Sequence, residues 1–167
     1  MSAPTGTALT GDALIAKTRE VMENLEAGGT LQSHFDLGDD DMEAIYALAH
    51  GQFAARKYDK AADLFKFLCL CDHKEPRWFY GLGMAKQHTA DYAGAAEAYG
   101  MATLLDTDDP LPQAQAGYCL MFLERWSEAQ SALEGAVMAC EDNEEHAALK
   151  RQAEGMLATA KAKGNLR

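Results

Sequence analysis

The 167-residue sequence matches itself at a fixed interval, the one that separates Tyr58 from Tyr92 and Tyr92 from Trp126. At six positions of this interval, three successive copies hold only apolar or small residues. These positions are Leu48/Leu82/Ala116, Ala49/Gly83/Gly117, Tyr58/Tyr92/Trp126, Ala61/Ala95/Ala129, Phe65/Tyr99/Leu133 and Leu68/Ala102/Ala136. A unit of this length cannot bury an apolar face alone, so three units in tandem must stack and share one elongated core.

The interval is about 34 residues, which is that of the tetratricopeptide repeat, a helix–turn–helix unit, and it predicts an all-α fold. Small residues let two antiparallel helices approach closely, and large ones fill the space between stacked pairs. The predicted repeats are 42–75, 76–109 and 110–143. Pro76 and Pro110 open the second and third repeats, because a first-turn N–H has no helical partner to lose. Three aspartates at 39–41 are predicted to precede the first helix and cap it.

Two further helices are predicted outside the repeats. In the N-terminal segment 1–41, residues 12–27 form an amphipathic pattern that Gly28 and Gly29 end, and residues 1–11 are expected to be disordered. The apolar stripe consists of Leu14, Ile15, Val21, Met22 and Leu25. This helix either packs back on the repeats as a cap or pairs with another copy, and we favour dimerisation. In the C-terminal segment 144–167, residues 144–162 predict a capping helix over the third repeat.

Repeat solenoids of this kind usually bind partners on the concave face, which the first helix of each pair lines. The inward positions are Glu43, Tyr46, His50, Phe53 and Ala54; Arg77, Tyr80, Met84, Gln87 and His88; and Leu111, Ala114, Tyr118, Met121 and Phe122. The predicted peptide-binding residues are Tyr46, His50, Phe53, Tyr80, Met84, Gln87, Tyr118 and Met121. Inner positions should be accessible to solvent, so an aromatic and methionine-rich set there indicates a partner site. The alternative is that some of them touch the terminal helices.

Charge excludes several classes of partner. The formal net charge of −11 repels phosphate backbones and anionic membrane surfaces, so we expect neither nucleic-acid binding nor stable membrane association. Among the inward positions only Arg77 is positive, which makes an acidic C-terminal tail a poor ligand. No secretory signal or apolar run of spanning length is visible, and a cytoplasmic protein is expected.

Enzymatic and metal-binding functions find no support in the sequence. Cys69 and Cys71 face different sides of a helix, and Cys119 and Cys140 lack the spacing of zinc ligands. We therefore predict buried thiols, no metal site and no cofactor. No nucleophile–base pair stands in a convincing context, so the protein is not expected to be an enzyme.

Several stretches resemble one particular family of repeat proteins. They are Gly28-Gly29-Thr30-Leu31, Tyr46-Ala47-Leu48-Ala49, Arg56-Lys57-Tyr58-Asp59-Lys60-Ala61, Phe65 through Leu68-Cys69 with Asp72-His73, and Arg77-Trp78-Phe79-Tyr80-Gly81-Leu82-Gly83. Between about residues 26 and 160 the sequence resembles the class II chaperones of type III secretion translocators, the LcrH/SycD type. The stretch from Phe65 to Gly83 is the most specific part of the resemblance.

The resemblance implies a function. Such chaperones are small, acidic, cytoplasmic and without ATPase activity, and they hold hydrophobic pore-forming translocators soluble and apart before secretion. Their concave face takes an extended Pro-x-Leu-x-x-Pro segment. By position, Tyr46, His50 and Phe53 would line the first pockets, and Tyr80 and Met84 would continue the groove. The family often has an aromatic residue at the place of His50, and we expect the histidine of this chain to make the pocket sensitive to pH.

Many members of the family form homodimers through the N-terminal region. The competing hypothesis is a generic tetratricopeptide scaffold that binds an unrelated peptide.

Overall fold

The computed structural model describes residues 11–140 and 143–165, with side chains from residue 19 onward. This part of the chain is all-helical, as predicted. Its helices are α1 (Gly11–Glu26), α2 (Leu31–His34), α3 (Asp39–Ala54), α4 (Tyr58–Cys71), α5 (Pro76–His88), α6 (Tyr92–Leu105), α7 (Pro110–Phe122), α8 (Trp126–Cys140) and, after a 3₁₀ turn at Glu144–His146, α9 (Ala147–Gly164). The disorder expected for residues 1–10 concerns a segment outside the described residues, and Gly11 already belongs to α1.

Three helix pairs, α3–α4, α5–α6 and α7–α8, stack in chain order, and α9 packs against α8. Helices α5 and α7 begin at the two prolines, each preceded by an acidic N-cap that accepts a hydrogen bond from a first-turn N–H. The prediction for Asp39–Asp41 was wrong in detail, because these residues form the first turn of α3. Gly38 is the N-cap, and its N–H donates to Asp41 Oδ2 at 3.0 Å.

The short helix α2 was not predicted. The Thr30 hydroxyl accepts a hydrogen bond from the N–H of Ser33, and the Ser33 hydroxyl accepts one from the N–H of Thr30. This reciprocal capping holds a single turn, which is too short to show any apolar periodicity.

The first helix of each pair ends in the same way. Arg56, Ala90 and Glu124 occupy the same place in successive repeats and have φ values of 57°, 62° and 56°. In each turn the next N–H bonds back five residues, as Lys57 N–H does to the Gln52 carbonyl at 2.9 Å. This is the Schellman arrangement, in which a left-handed residue satisfies the last carbonyls of a helix.

Close approach of helices depends on three glycines. A Cβ added at Gly81 would lie 2.4 Å from the Phe65 ring, and one at Gly83 would lie 2.6 Å from the Tyr99 ring. A Cβ at Gly117 would lie 2.6 Å from Leu133. The facing side chains are fully buried, with Tyr99 only 1% exposed. The repeat interval predicted that small residues would face large ones, and these glycines do contact large side chains of the neighbouring helix.

The terminal helices differ in how they pack. In α9, Ala153 and Ala160 are buried in a cluster shared with α7 and α8, so this helix caps the third repeat as predicted. In contrast, α1 packs against α2. The Lys74 ammonium donates a hydrogen bond to the Gly28 carbonyl, which connects the loop after α1 to the first repeat.

The packing of α1 bears on the choice between a cap and a dimer. Val21 and Leu25 are half-buried, and Met22 is 51% exposed. The side chains of Leu14 and Ile15 lie outside the described ones. Because α1 does not cover the repeat stack in the way α9 does, the capping alternative loses support. None of the described helices is long and apolar enough to cross a membrane.

We expect Gly83→Ala to destabilise the fold. The new Cβ would push against the buried Tyr99 ring, and such overpacking lowers the free energy of unfolding by about 1–3 kcal/mol. Gly100→Ala is the matched control, because a Cβ there meets nothing within 4 Å inside α6. The control should raise the free energy of unfolding by roughly 0.5–1 kcal/mol through helix propensity. Urea unfolding followed by circular dichroism measures both, and equal midpoints for the two variants would contradict the close-approach argument.

Candidate functional site: the concave groove

The concave groove is formed by α3, α5 and α7. All eight predicted peptide-binding residues are half-buried. Most of these side chains pack partly on the core: Tyr46 and Phe53 on that of the first repeat, and Tyr80, Met84 and Tyr118 on the cluster around Tyr99. Each keeps part of its surface exposed. The groove residues are therefore held rigidly without being withdrawn from solvent.

A hollow of about 130 Å³ lies at the end of the groove where the first helices begin. Its lining consists of Tyr46, Pro76, Arg77, Tyr80, Ala102, Asp106, Asp109 and Pro112. The structure thus brings together two of the predicted residues, Tyr46 and Tyr80, from successive repeats. Burial raises the pKa of both tyrosines, and Asp109 raises that of Tyr80 further. Both hydroxyls therefore stay protonated and can donate hydrogen bonds to a peptide carbonyl.

Arg77, the one inward cation, is already engaged. Its guanidinium lies 2.7 Å from Glu43 and 3.1 Å from Glu75, and hydrogen bonds to both carboxylates raise its pKa. The same guanidinium stacks over the Tyr46 and Trp78 rings, at 5.3 and 4.8 Å from their centroids. A carboxylate ligand would have to displace these partners.

His50 stands edge-on between two rings. Its centroid is 4.4 Å from that of Tyr46 and 5.4 Å from that of Phe65. Its Nε2 is buried and has no hydrogen-bond partner among the described residues. The imidazole therefore packs as an aromatic residue would at this place.

Aromatic rings also line the opposite edge. Phe53 contacts the rings of Tyr58 and His88 at 5.2 and 5.1 Å, and those two rings stack at 4.6 Å. In the last repeats, Phe122 stacks on Tyr92 at 4.5 Å. Phe122 is also 53% exposed, which makes it the most accessible aromatic residue of the inward positions.

One inward position of the third repeat departs from the expected accessibility. Ala114 is only 2% exposed, because it belongs to the buried cluster that α7 shares with α8 and α9. Met121, one of the predicted binding residues, packs against the same cluster. Ala114 is therefore a core residue, whereas Met121 keeps part of its surface exposed, like the other predicted binding residues.

An amide network crosses the middle of the groove. The Tyr99 hydroxyl donates to Gln87 Oε1 at 2.7 Å, and Gln87 Nε2 donates to Gln115 Oε1 at 3.4 Å. Burial raises the pKa of Tyr99 well above its usual range, so the hydroxyl remains a donor. The predicted site residue Gln87 is thus oriented from the core, next to Tyr80 and Met84.

The cysteines are buried free thiols, as predicted. Burial raises the pKa of Cys69 to about 12 and that of Cys119 to about 11, which makes them poor nucleophiles. Within residues 11–140 and 143–165, no group of His, Cys, Asp and Glu side chains is arranged to hold a metal ion.

Comparison with known proteins identifies the family. Low calcium response locus protein H of Yersinia pestis is 32% identical over 139 residues, which covers 83% of each chain. The type III secretion chaperone SycD of Yersinia enterocolitica, solved with a peptide of the translocator YopD, aligns at a TM-score of 0.72 and 30% identity, over 77% of this chain and 98% of that one. The chain belongs to the LcrH/SycD family of type III secretion chaperones. No protein-family model matches it.

A second solved structure agrees over more of the chain. A chain in a type III secretion complex from Aeromonas hydrophila aligns at a TM-score of 0.84 and 31% identity, over 89% of this chain and 99% of that one. The family resemblance stated from the residues alone is therefore confirmed. Sequence reasoning about this chaperone family member nevertheless missed Gln115, Asp106 and Asp109, because the helical register assigned none of them to an inward position.

We expect Tyr99→Phe to loosen the groove from within. The ring volume stays, but Gln87 Oε1 loses its donor, so the free energy of unfolding should fall by about 1 kcal/mol. Tyr92→Phe is the control, since the Tyr92 hydroxyl bonds no group in the described part of the chain. Chemical denaturation of both variants checks this. A Tyr99→Phe protein as stable as the control would show that the network does not support the fold.

Proposed function

We propose that this protein is a bacterial cytoplasmic chaperone that binds hydrophobic pore-forming translocators of a type III secretion system in its concave groove. In this role it keeps them soluble and apart before secretion. The observation that carries the proposal is the row of half-buried aromatic and methionine side chains along α3, α5 and α7. The proposal assigns the protein no catalytic activity and no cofactor.

The cargo segment we propose is extended and of the form Pro-x-Leu-x-x-Pro. Apolar side chains of such a segment would pack on His50, Phe53 and Met84, while the tyrosine hydroxyls and the Gln87 amide meet its backbone. A proline-bearing segment is already extended when free, so less conformational entropy is lost on binding. The groove residues are likewise held in place by the core beneath them.

Holding cargo without ATP requires only mass action. Covering part of an aggregation-prone surface lowers the concentration of free translocator. The net charge of −11 keeps loaded complexes apart in solution. Because release must occur by dissociation or competition, we expect an affinity in the micromolar range, about −8 kcal/mol.

Phe53→Glu should weaken peptide binding at least tenfold while leaving helical content intact. A carboxylate placed beside the Tyr58 and His88 rings would have to be desolvated when the cargo covers it. Fluorescence polarisation with a labelled Pro-x-Leu-x-x-Pro peptide and a scrambled peptide measures the effect. Phe67→Glu is the matched control, because Phe67 is exposed on α4 and lines none of the groove hollows.

Phe53 also packs on the core, so a second variant keeps this test decisive. Phe122→Glu changes a more exposed ring of the same groove, and its fold should survive. If both folded variants bind the peptide as tightly as the parent protein, the groove is not the cargo site. Co-expression with a translocator tests the chaperone role itself. A translocator that stays insoluble beside this protein would favour the scaffold hypothesis.

We also propose that α1 mediates a homodimer through Leu14, Ile15, Val21, Met22 and Leu25. Deleting residues 1–27 should convert the dimer into a monomer that still binds peptide, because the groove contains no residue of that segment. Deleting residues 1–10 is the control, since it leaves α1 whole. Light scattering gives the masses, and an unchanged mass after the longer deletion would refute the dimer assignment.

A further inference from the structure

The junctions between successive repeats carry the same pair of acidic residues. Asp72 and Glu75 stand at the first junction, and Asp106 and Asp109 stand at the equivalent places of the second. Each carboxylate accepts a hydrogen bond from the backbone N–H two residues on, at 2.9–3.2 Å. Turn capping alone thus explains one oxygen of each group. It does not explain which group pairs with the negative charge of each carboxylate.

At the first junction a cation completes the arrangement. Arg77 pairs with Glu75 and lies over the Tyr46 ring of the preceding repeat. One repeat later, Tyr80 takes the place of Tyr46 and Asp109 that of Glu75, but Leu111 takes the place of Arg77. No cation pairs with Asp106 or Asp109 within the described part of the chain. The second junction therefore repeats Glu75 and Tyr46 as Asp109 and Tyr80 but lacks the arginine, and Arg77 itself stands where Glu43 stands at the first junction.

The position that an arginine would occupy at the second junction opens into the concave groove. Asp106 and Asp109 line the same hollow as Tyr46, Tyr80 and Pro112. Arg77 lines it too, but its charge is more than balanced by Glu43 and Glu75. The hollow therefore combines apolar walls with a net negative charge.

We propose that the cargo segment itself supplies the missing cation, an arginine or lysine whose head lies on the Tyr80 ring and faces Asp109 and Asp106. The aliphatic stem would pack on Pro112 and the tyrosine rings, as long cationic side chains do on apolar surface. The head would repeat at the second junction the contact that Arg77 makes at the first. This inference rests on the proposed function, because the same groove is occupied.

Other cargo side chains fit this hollow less well. An acidic side chain would meet two like charges. An apolar one would cover two carboxylates without compensating them, and burying an unpaired charge is costly. A cation gains both the ion pair and the attraction of the ring face. The hollow thus favours a cationic side chain, while the rest of the groove favours apolar side chains.

A peptide panel tests the proposal. The probes are labelled peptides with a Pro-x-Leu-x-x-Pro core, each carrying Arg, Lys, Gln or Glu at one variable or flanking position. At one position the Arg peptide should bind about tenfold more tightly than the Gln peptide at low salt, and the Glu peptide more weakly than either. Raising the ionic strength should shrink this difference, because the aspartates are partly in water.

Three protein variants locate the effect. Asp109→Asn keeps the N-cap, since asparagine caps as well as aspartate, and should abolish the preference for Arg over Gln. Leu111→Arg places an arginine at the position equivalent to Arg77, and it should also abolish the preference for the Arg peptide over the Gln peptide. Asp63→Asn removes the same charge from an exposed site on α4 and should leave the preference intact. This control separates local recognition from attraction to the acidic protein as a whole.

The outcomes are distinguishable. If Arg and Gln peptides bind equally at every position, and both lose binding in Phe53→Glu, the cation site is refuted while the chaperone groove stands. A preference that survives in Asp109→Asn also refutes it. If no peptide of the panel binds the folded protein, the proposed function fails, and this inference fails with it.

Discussion

The contact between a glycine on one helix and a large buried side chain on the next is the constraint on which the rest of the structure depends. Gly81 against Phe65, Gly83 against Tyr99 and Gly117 against Leu133 bring helices closer than any side chain would allow. Gly83 and Gly117 hold equivalent places within the second and third pairs, and Gly81 allows the second pair to approach the first. The first helices α3, α5 and α7 then form one concave side.

Close packing also explains why the groove residues are half-buried. Tyr80 has its ring centroid 5.5 Å from that of the buried Tyr99, and Tyr99 in turn orients Gln87 by a hydrogen bond. A partner-binding surface built in this way is rigid, because moving its side chains would disturb the core. Rigidity reduces the ordering entropy that binding must offset. The same coupling means that substitutions in the groove have to be separated from effects on folding.

The fold could be predicted from the sequence, because the residues that make helices touch recur at one fixed interval. Details that depend on local bonding could not. The left-handed turns fall on Arg56, Ala90 and Glu124, where no glycine marks them, and α2 rests on two reciprocal hydroxyl contacts. In the groove, Gln115 acquires its place only through side chains from two other helices. Ala114 satisfied the inward register, yet it is buried in the cluster that α7 shares with α8 and α9.

The groove positions themselves do not follow the repeat, and this contrast has a physical basis. Ala61, Ala95 and Ala129 stay small in all three repeats, because each is fully buried between packed helices. Tyrosine recurs at one inward position, as Tyr46 and Tyr80, but three other inward sets change in size and charge from one repeat to the next: Glu43/Arg77/Leu111, His50/Met84/Tyr118 and Phe53/Gln87/Met121. A uniform groove would bind an extended apolar segment in several registers with similar affinity. A groove whose chemistry changes from one repeat to the next penalises each shifted register, since an anchor moved by one repeat meets a different side chain. Under the proposed function, departure from the repeat would give a symmetric solenoid one preferred register for an asymmetric peptide.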